Sequence, residues 1–291
     1  GFGGEDGYNE AHLNSQGISA SLLHEPAIMT TDQTGCANGY VGSNGDESAY
    51  EANEFQNHSG GYSENSNCNY TSRFNGTSSA APSVSGVIAL MLEANPNLEW
   101  RDVKHILANT ADKLDDTRSC DPSFNSCEWK TNAAGYHFST WYGFGRINAA
   151  DAISAAESYS TDLGNFVTTG LMAIDSSYQN SASQTGVSQI PIVVSAPSAD
   201  PSANIVEFVR LNLKIDQSLW CLGIKLESPQ ETKLPVLQPL MKEAGGGGYW
   251  FSIGINGFYG EEIVGTWKVE LWNYCQGDIT IIDMDMEVMG R

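Results

Sequence analysis

The segment that most limits the possible folds of this chain runs from Arg73 to Asn95, RFNGTSSAAPSVSGVIALMLEAN. Small residues lead to Ser78, and a long apolar run follows. Because its apolar residues cover most faces of a helix, the run predicts a central, buried helix from Ser78 to about Glu93. Proline is tolerated in the first turn of a helix, so Pro82 is expected to lie near its start.

Ser78 is the candidate reactive residue of this segment. The first N–H groups of a helix are unpaired and lie at the positive end of its dipole. A serine placed there can attack a carbonyl and use its own N–H to stabilise the oxyanion, provided that a base lies beside it. Gly76 would let the substrate backbone approach closely. The alternative interpretation is an N-cap serine on a core helix.

The remaining elements before residue 160 are short. A strand is expected at Ala27–Thr31 and a long polar loop at 33–67. A second, amphipathic helix is predicted over Leu98–Thr110, and a third helix is expected to begin near Asn148 as its N-cap. In the second helix the spacing directs three side chains inward (Val103, Ile106 and Leu107) and three outward (Arg101, Asp102 and Lys104).

The character of the sequence changes after about Ser160. Short runs rich in Val, Ile, Trp and Tyr alternate with turn residues, which is typical of a β-sandwich. The expected fold is therefore α/β over residues 1–162, followed by an all-β domain over 163–291, a jelly roll or sandwich. The predicted strands are IPIVVS, IVEFVRLNLKI, WCLGIKLES, YWFSIGI, GTWKVELWN and DITIIDMDMEV.

Charge narrows the possible partners. The net charge is −21, which argues against nucleic acid and anionic membranes, since both attract basic surfaces. No stretch approaches eighteen consecutive apolar residues, so no membrane span is expected. The composition fits a soluble secreted protein or one that binds cations and cationic peptides.

Six cysteines allow 15 pairings. They fall into three local pairs, which predicts the disulfides Cys36–Cys68, Cys120–Cys127 and Cys221–Cys275 in an oxidising compartment. Six buried free thiols in a cytosolic protein are the alternative. No cysteine–histidine set has the spacing of a zinc site.

Several strings resemble subtilisin-like serine proteases of the kexin/furin branch, across nearly the whole chain. They are NGTSSAAPSVSGVIALMLEANPNLEWRDVKHILANTA, YGFGRINAADAI, YNEA at Tyr8–Ala11 and MTTD at Met29–Asp32. The β-rich tail resembles the P domain of that branch, in GIKLESPQETKLPVL and YGEEIVGTWKVELWN. The P domain's role in the family is to support the catalytic domain by packing against it.

The resemblance implies that residues 1–162 are the C-terminal part of a subtilisin-like parallel-sheet domain. It also implies a calcium-dependent serine endopeptidase, secreted or periplasmic, that cleaves after basic residues. Ser78 matches the acylated nucleophile, and Glu10 matches a carboxylate that helps hold a structural calcium ion. A propeptide or a folding chaperone is a possible partner. The insertion at 33–67 departs from the family, as does Glu231, which stands where the P domain often has glycine in an SPxGT turn. The resemblance also matches Cys68 to a family cysteine whose usual partner lies upstream, which is an alternative to the pair Cys36–Cys68.

The family's aspartate and histidine motifs are missing. None of His12, His24, His58, His105 and His137 has the expected context, and His105 is expected at the surface of the second helix. The triad Asp and His are therefore predicted to lie outside these 291 residues, which alone would be inactive. The alternative function is an inactive binding or structural module. An esterase is disfavoured because the pattern GxSxG is absent.

Overall fold

The computed structural model describes residues 28–35, 65–67, 69–74, 76–115, 128–178, 182–183, 187–216, 219, 222–238, 248–274 and 279–291. The chain divides into two compact units, Gly1–Glu93 and Ala94–Arg291. The boundary predicted at 162/163 lies inside the second unit and remains a prediction. Among the described residues, no helix is long and apolar enough to cross a membrane.

An antiparallel hairpin precedes the serine segment in the first unit. Strand β1 (Ile28–Thr31), expected from the sequence, pairs with β2 (Tyr70–Phe74). Two backbone bonds extend the pairing beyond the strands: Asp32 N–H donates to the Asn69 carbonyl at 2.6 Å, and Gly35 N–H to that of Asn67 at 3.0 Å. Backbone hydrogen bonds therefore hold the two ends of the polar loop together. All six cysteines lie outside the described residues, so their pairing stays a prediction.

Helix α1 (Thr77–Ala94) matches the predicted helix in extent but not in burial. Only Ser79 and Met91 are buried, whereas Leu90 and Leu92 keep 47% and 38% of their surface exposed. The expectation of a buried central helix is therefore wrong for the described chain. The sequence supplies an apolar helix, but the described residues leave a large part of its apolar surface open.

Two further helices belong to the second unit. Helix α2 (Trp100–Thr110) begins with a capping box between Glu99 and Asp102. Helix α3 (Ala149–Glu157) begins at Asn148, whose side chain accepts a hydrogen bond from Asp151 N–H at 3.1 Å, as its predicted N-cap role requires. A short antiparallel pair between α2 and α3 comprises β3 (Lys130–Thr131) and β4 (His137–Phe138).

The rest of the second unit is almost entirely β-structure, as predicted, with one short 3₁₀ helix at Ser176–Tyr178. All strand pairs among the described residues are antiparallel. The strands are β5 (Val167–Thr168), β6 (Met172–Ala173), β7 (Ala182–Ser183), β8 (Val187–Val194), β9 (Val206–Ile215), β10 (Leu222–Glu227), β11 (Lys233–Leu237), β12 (Trp250–Ile255), β13 (Gly265–Asn273) and β14 (Ile279–Gly290).

These strands form two sheets around one core. The first has the order β11-β10-β13-β8, and the second the order β12-β9-β14-β5, with β6 and β7 also paired to β14. Side chains of both sheets share one cluster that includes Val209, Leu211, Trp267 and Met286. Strand β11 was not predicted, because Pro235 interrupts its apolar pattern. A proline is tolerated there since β11 is an edge strand.

The turn between β10 and β11 keeps a left-handed residue where the kexin-like pattern has glycine. Glu231 has φ +66°, and its N–H donates to the Ser228 carbonyl at 3.0 Å. Ser228 N–H in turn donates to the Thr232 carbonyl at 2.9 Å. The change to glutamate therefore leaves the left-handed conformation in place and adds the steric cost of a side chain.

Glu231→Gly is expected to raise the free energy of unfolding by about 1 kcal/mol. A residue with a Cβ costs ~1–2 kcal/mol in the left-handed region, and glycine removes this cost but loses more backbone entropy on folding, which offsets part of the gain. Urea unfolding of the 291-residue chain measures the change. Glu231→Ala is the matched control, since it removes the carboxylate but keeps the Cβ. An equal gain from both variants would assign the effect to charge and contradict the backbone explanation.

Candidate active site

Ser78 is the second residue of α1 and is exposed. Because it lies inside the first turn, it is not the N-cap, and the N-cap alternative does not fit this geometry. Among the described residues of the first unit, none shares a hydrogen bond with its hydroxyl.

The residues on either side of Ser78 fix the start of the helix. Gly76 has φ +73°, a conformation that favours glycine, and a Cβ added there would meet no atom within 4 Å. Ser79 is buried, and its hydroxyl donates to the Gly76 carbonyl at 2.7 Å while its N–H donates to the same oxygen at 3.2 Å. The left-handed conformation of Gly76 thus forms the turn, and the two hydrogen bonds from Ser79 stabilise it.

Pro82 lies in the second turn of α1, not in the first as the sequence predicted. It stands four residues after Ser78, so it lacks the N–H that would donate to the Ser78 carbonyl in a regular helix. The proline therefore loosens the helical bonding of Ser78.

The other expected members of a serine protease site are not placed by the structure. The described part of the first unit contains no histidine, since His12, His24 and His58 lie outside it. Glu10, the predicted calcium ligand, also lies outside it. Among the described residues, no group of three or more His, Cys, Asp or Glu side chains could hold a metal ion.

A buried ion pair that the sequence analysis missed joins α2 to the sandwich. Arg101 Nε donates to Glu207 Oε2 at 3.0 Å, and a second bond joins its Nη2 to Glu207 Oε1. The same guanidinium donates to the carbonyls of Leu163 and Gly164. Arg101 and Glu207 are 8% and 1% exposed. The prediction that Arg101 faces solvent is therefore wrong.

Two neighbours on α2 also contact the sandwich instead of solvent. Lys104 Nζ donates to the Glu207 carbonyl at 2.6 Å and lies 5.4 Å from the centre of the Tyr259 ring. His105 is half-buried, and its Nδ1 lies 2.9 Å from the Tyr259 hydroxyl. The outward placement predicted for Lys104 and the surface placement predicted for His105 are therefore both wrong, because α2 packs on the sandwich along this side.

The pKa values of Glu207 and Lys104 are shifted by burial and by the charges beside them. Burial by itself would raise the pKa of Glu207, but hydrogen bonds and charge from Arg101 and Arg291 outweigh it, and the pKa is lowered. Burial lowers the pKa of Lys104. Glu207 could have been suspected from sequence alone. Glu207 lies at an odd-numbered position of its strand, on the same face as Val209, Leu211 and Leu213, which face the core. A buried carboxylate requires a partner.

Comparison with known proteins identifies the family of the segment that carries Ser78. An exposed serine in the first turn of a helix, after a left-handed glycine, is an arrangement suited to a hydrolase nucleophile. Residues 27–145 match the sequence profile of the subtilase family, peptidase family S8. This part of the chain belongs to the subtilase family of serine proteases.

Relatives of the chain include a bacterial enzyme and animal convertases. The chain is 31% identical over 292 aligned residues to the extracellular serine protease of Aeromonas sobria, covering 91% of this chain and 45% of the relative. It is 32% identical over 208 residues to human proprotein convertase subtilisin/kexin type 5, covering 70% of this chain and 10% of the relative. The kexin-like resemblance is thereby confirmed.

Solved structures give the same relationship. The crystal structure of the Aeromonas sobria protease superposes with a TM-score of 0.75 at 26% identity, covering 91% of this chain and 51% of that one. The complex of that protease with the chaperone ORF2 gives a TM-score of 0.74 at 26% identity, with the same coverage. The chain thus spans about half the length of the Aeromonas sobria protease and about a tenth of the human convertase.

Proposed function

We propose that this chain is part of a secreted, kexin-like serine endopeptidase that cleaves after basic residues, with Ser78 as its nucleophile. The observation that carries the proposal is the exposed Ser78 in the first turn of α1, directly after left-handed Gly76. In this mechanism Ser78 Oγ attacks the peptide carbonyl and gives its proton to a histidine. The amine departs with that proton, and water then hydrolyses the acyl-enzyme.

The aspartate and histidine of the triad are proposed to come from outside these 291 residues. Two observations support this. The chain spans only 45% of the Aeromonas sobria protease. The apolar side chains of α1, Leu90 and Leu92 among them, are exposed in the described chain, as expected of a helix that a further part of the protein covers.

Calcium and a folding partner belong to the same proposal. Glu10 is the proposed ligand of a structural calcium ion, and carboxylate oxygens suit this cation. The Aeromonas sobria protease has been crystallised with a chaperone, which supports a chaperone or propeptide as a partner here. The net charge of −21 fits an extracellular protein that attracts cationic peptides.

A second candidate is an inactive binding or structural module. The sandwich favours it because it has its own continuous core, including Leu213, Ile224 and Trp267, which does not depend on the serine segment. In this case the P-domain-like half would carry the function.

Labelling by a fluorophosphonate separates the two candidates, because the reagent reacts only with an activated serine. The complete protease is expected to be labelled at Ser78 and to cleave a peptide after arginine faster than its glutamate counterpart. The 291-residue chain alone is expected to do neither. Absence of labelling in the complete, folded protein would support the inactive module. Cleavage by the 291-residue chain, lost in Ser78→Ala, would show that the triad is complete within it.

A further inference from the structure

Two exposed aromatic rings meet at the start of α2. Trp100 is the first residue of α2, and Phe166 lies directly before β5. Their ring centres are 5.5 Å apart in an edge-to-face arrangement, yet 62% of Trp100 and 43% of Phe166 remain exposed. Single exposed apolar residues are ordinary on a protein surface, but neighbouring ones mark a candidate docking surface.

An acidic cleft of about 380 Å³ adjoins the two rings. Its walls come from the residues on either side of Trp100 and from residues 159–164, which end two positions before Phe166. Three carboxylates line the cleft, those of Glu99, Asp102 and Asp162. Among the described residues, none of the three forms an ion pair with a basic side chain.

The one basic side chain of the cleft wall is already compensated. Arg101 lines the cleft, but its charge is paired with that of buried Glu207. Its guanidinium carbon also lies 5.5 Å from the centre of the Phe166 ring, so one ring of the pair already contacts a guanidinium. The cleft therefore keeps three uncompensated negative charges beside the open ring of Trp100.

The spacing of the carboxylates favours several cationic groups over a single ion. Backbone N–H groups hold two of them in place: that of Glu99 donates to Asp102 Oδ2, and that of Gly164 to Asp162 Oδ1, both at 2.8 Å. No three acidic, histidine or cysteine side chains of the described chain lie close enough to share one metal ion. Separate carboxylates beside an aromatic ring suit arginine, because a guanidinium pairs with a carboxylate and stacks on tryptophan.

We propose that these five residues (Trp100, Phe166, Glu99, Asp102 and Asp162), the Trp100 surface, bind an arginine-containing segment of a separate peptide chain. The surface lies within the second unit and does not include Ser78. Binding here therefore goes beyond the proposed cleavage and does not depend on it.

Fluorescence anisotropy with the 291-residue chain tests the proposal. The probe is a fluorescein-labelled Arg-Ala-Ala-Arg peptide, and its matched control carries citrulline, the neutral counterpart of arginine, at both ends. The arginine peptide should bind more tightly. Trp100→Ala should weaken its binding about three- to fivefold through the lost cation–π contact, and Asp162→Asn about two- to fivefold at low salt. Equal binding of the two peptides, or wild-type affinity in both variants, would overturn the proposal.

Two variants elsewhere in the second unit serve as controls. Trp250→Ala removes a tryptophan that is 49% exposed on β12, and Glu262→Gln removes one exposed negative charge, as Asp162→Asn does. Both should keep the wild-type affinity. Equal weakening in Glu262→Gln and Asp162→Asn would assign binding to the net charge of −21 and contradict a defined surface. If Trp100→Ala does not fold, this pair of charge variants decides.

Sedimentation of the wild type and Trp100→Ala tests the other possible occupant, a second copy of the chain. The proposal expects the same oligomeric state for both. A wild-type dimer that dissociates in Trp100→Ala would show that a second copy covers the Trp100 surface, and the peptide proposal would then be wrong.

Discussion

Glu207→Gln is expected to lower the free energy of unfolding by about 3–5 kcal/mol, because it leaves the buried Arg101 guanidinium without its carboxylate. Glu207 also accepts from Arg291 at 3.2 Å, so two cations lose the same partner. Urea unfolding of the 291-residue chain at neutral pH measures the loss. Removing one partner of a buried ion pair leaves an unpaired charge, which costs far more than replacing both partners by apolar residues. The measured loss is therefore the cost of an unpaired Arg101 and not the contribution of the ion pair to stability.

Glu287→Gln is the matched control for this prediction. Glu287 pairs with Arg210 at 2.9 Å on the same sheet, but Arg210 is 45% exposed at its side chain, so the same change should cost at most about 1 kcal/mol. Since the pKa of Glu207 is lowered on folding, its stabilisation should also fade as the pH falls through the carboxylate range. Equal losses in the two variants at neutral pH would contradict the importance of burial.

Ser78→Ala in the complete protease is expected to reduce kcat by roughly 10⁶-fold, the order found when the nucleophile of a serine protease is removed. The change deletes the attacking oxygen but leaves α1 and Gly76 in place, so the melting temperature should stay close to that of the wild type. Hydrolysis of an arginyl peptide and thermal unfolding together measure both effects.

Ser79→Ala provides the neighbouring control. It keeps the Ser78 hydroxyl but removes the buried bond to the Gly76 carbonyl, so it should cost about 1–2 kcal/mol of stability while the fluorophosphonate still labels Ser78. Loss of labelling in a folded Ser79→Ala variant, with labelling retained in Ser78→Ala, would show that Ser79 and not Ser78 is the nucleophile.

Local pattern was enough to predict most elements of this chain. The apolar run after Ser78 predicted α1 to within one residue at each end, and Asn148 marked the start of α3. Strand alternation predicted β9 and β13, because their buried residues recur at every second position. These features depend on neighbours in sequence, which the sequence displays directly.

The errors concern contacts between residues far apart in sequence. Arg101 and Lys104 belong to the polar side of an amphipathic helix, and only their packing against Glu207 and Tyr259 shows that this side is covered. For Leu90 and Leu92 the error is the reverse, because burial was predicted and the side chains are exposed. An apolar sequence cannot show whether a partner covers it. The proposed triad partners and calcium ligand involve residues outside the described part of the chain.

The hairpin before α1 makes the 36–64 region a permissive point for protein engineering. Gly35, directly before this region, is held to Asn67, shortly after it, by a backbone hydrogen bond, and the Asp32–Asn69 bond holds the same end of the strand pair. Doubling the length of a connection between fixed ends costs only about 0.6 kcal/mol. A short linker or a reporter domain could therefore replace residues 37–64, which keeps Cys36 of the predicted disulfide, without shifting the β1–β2 register that leads into Ser78.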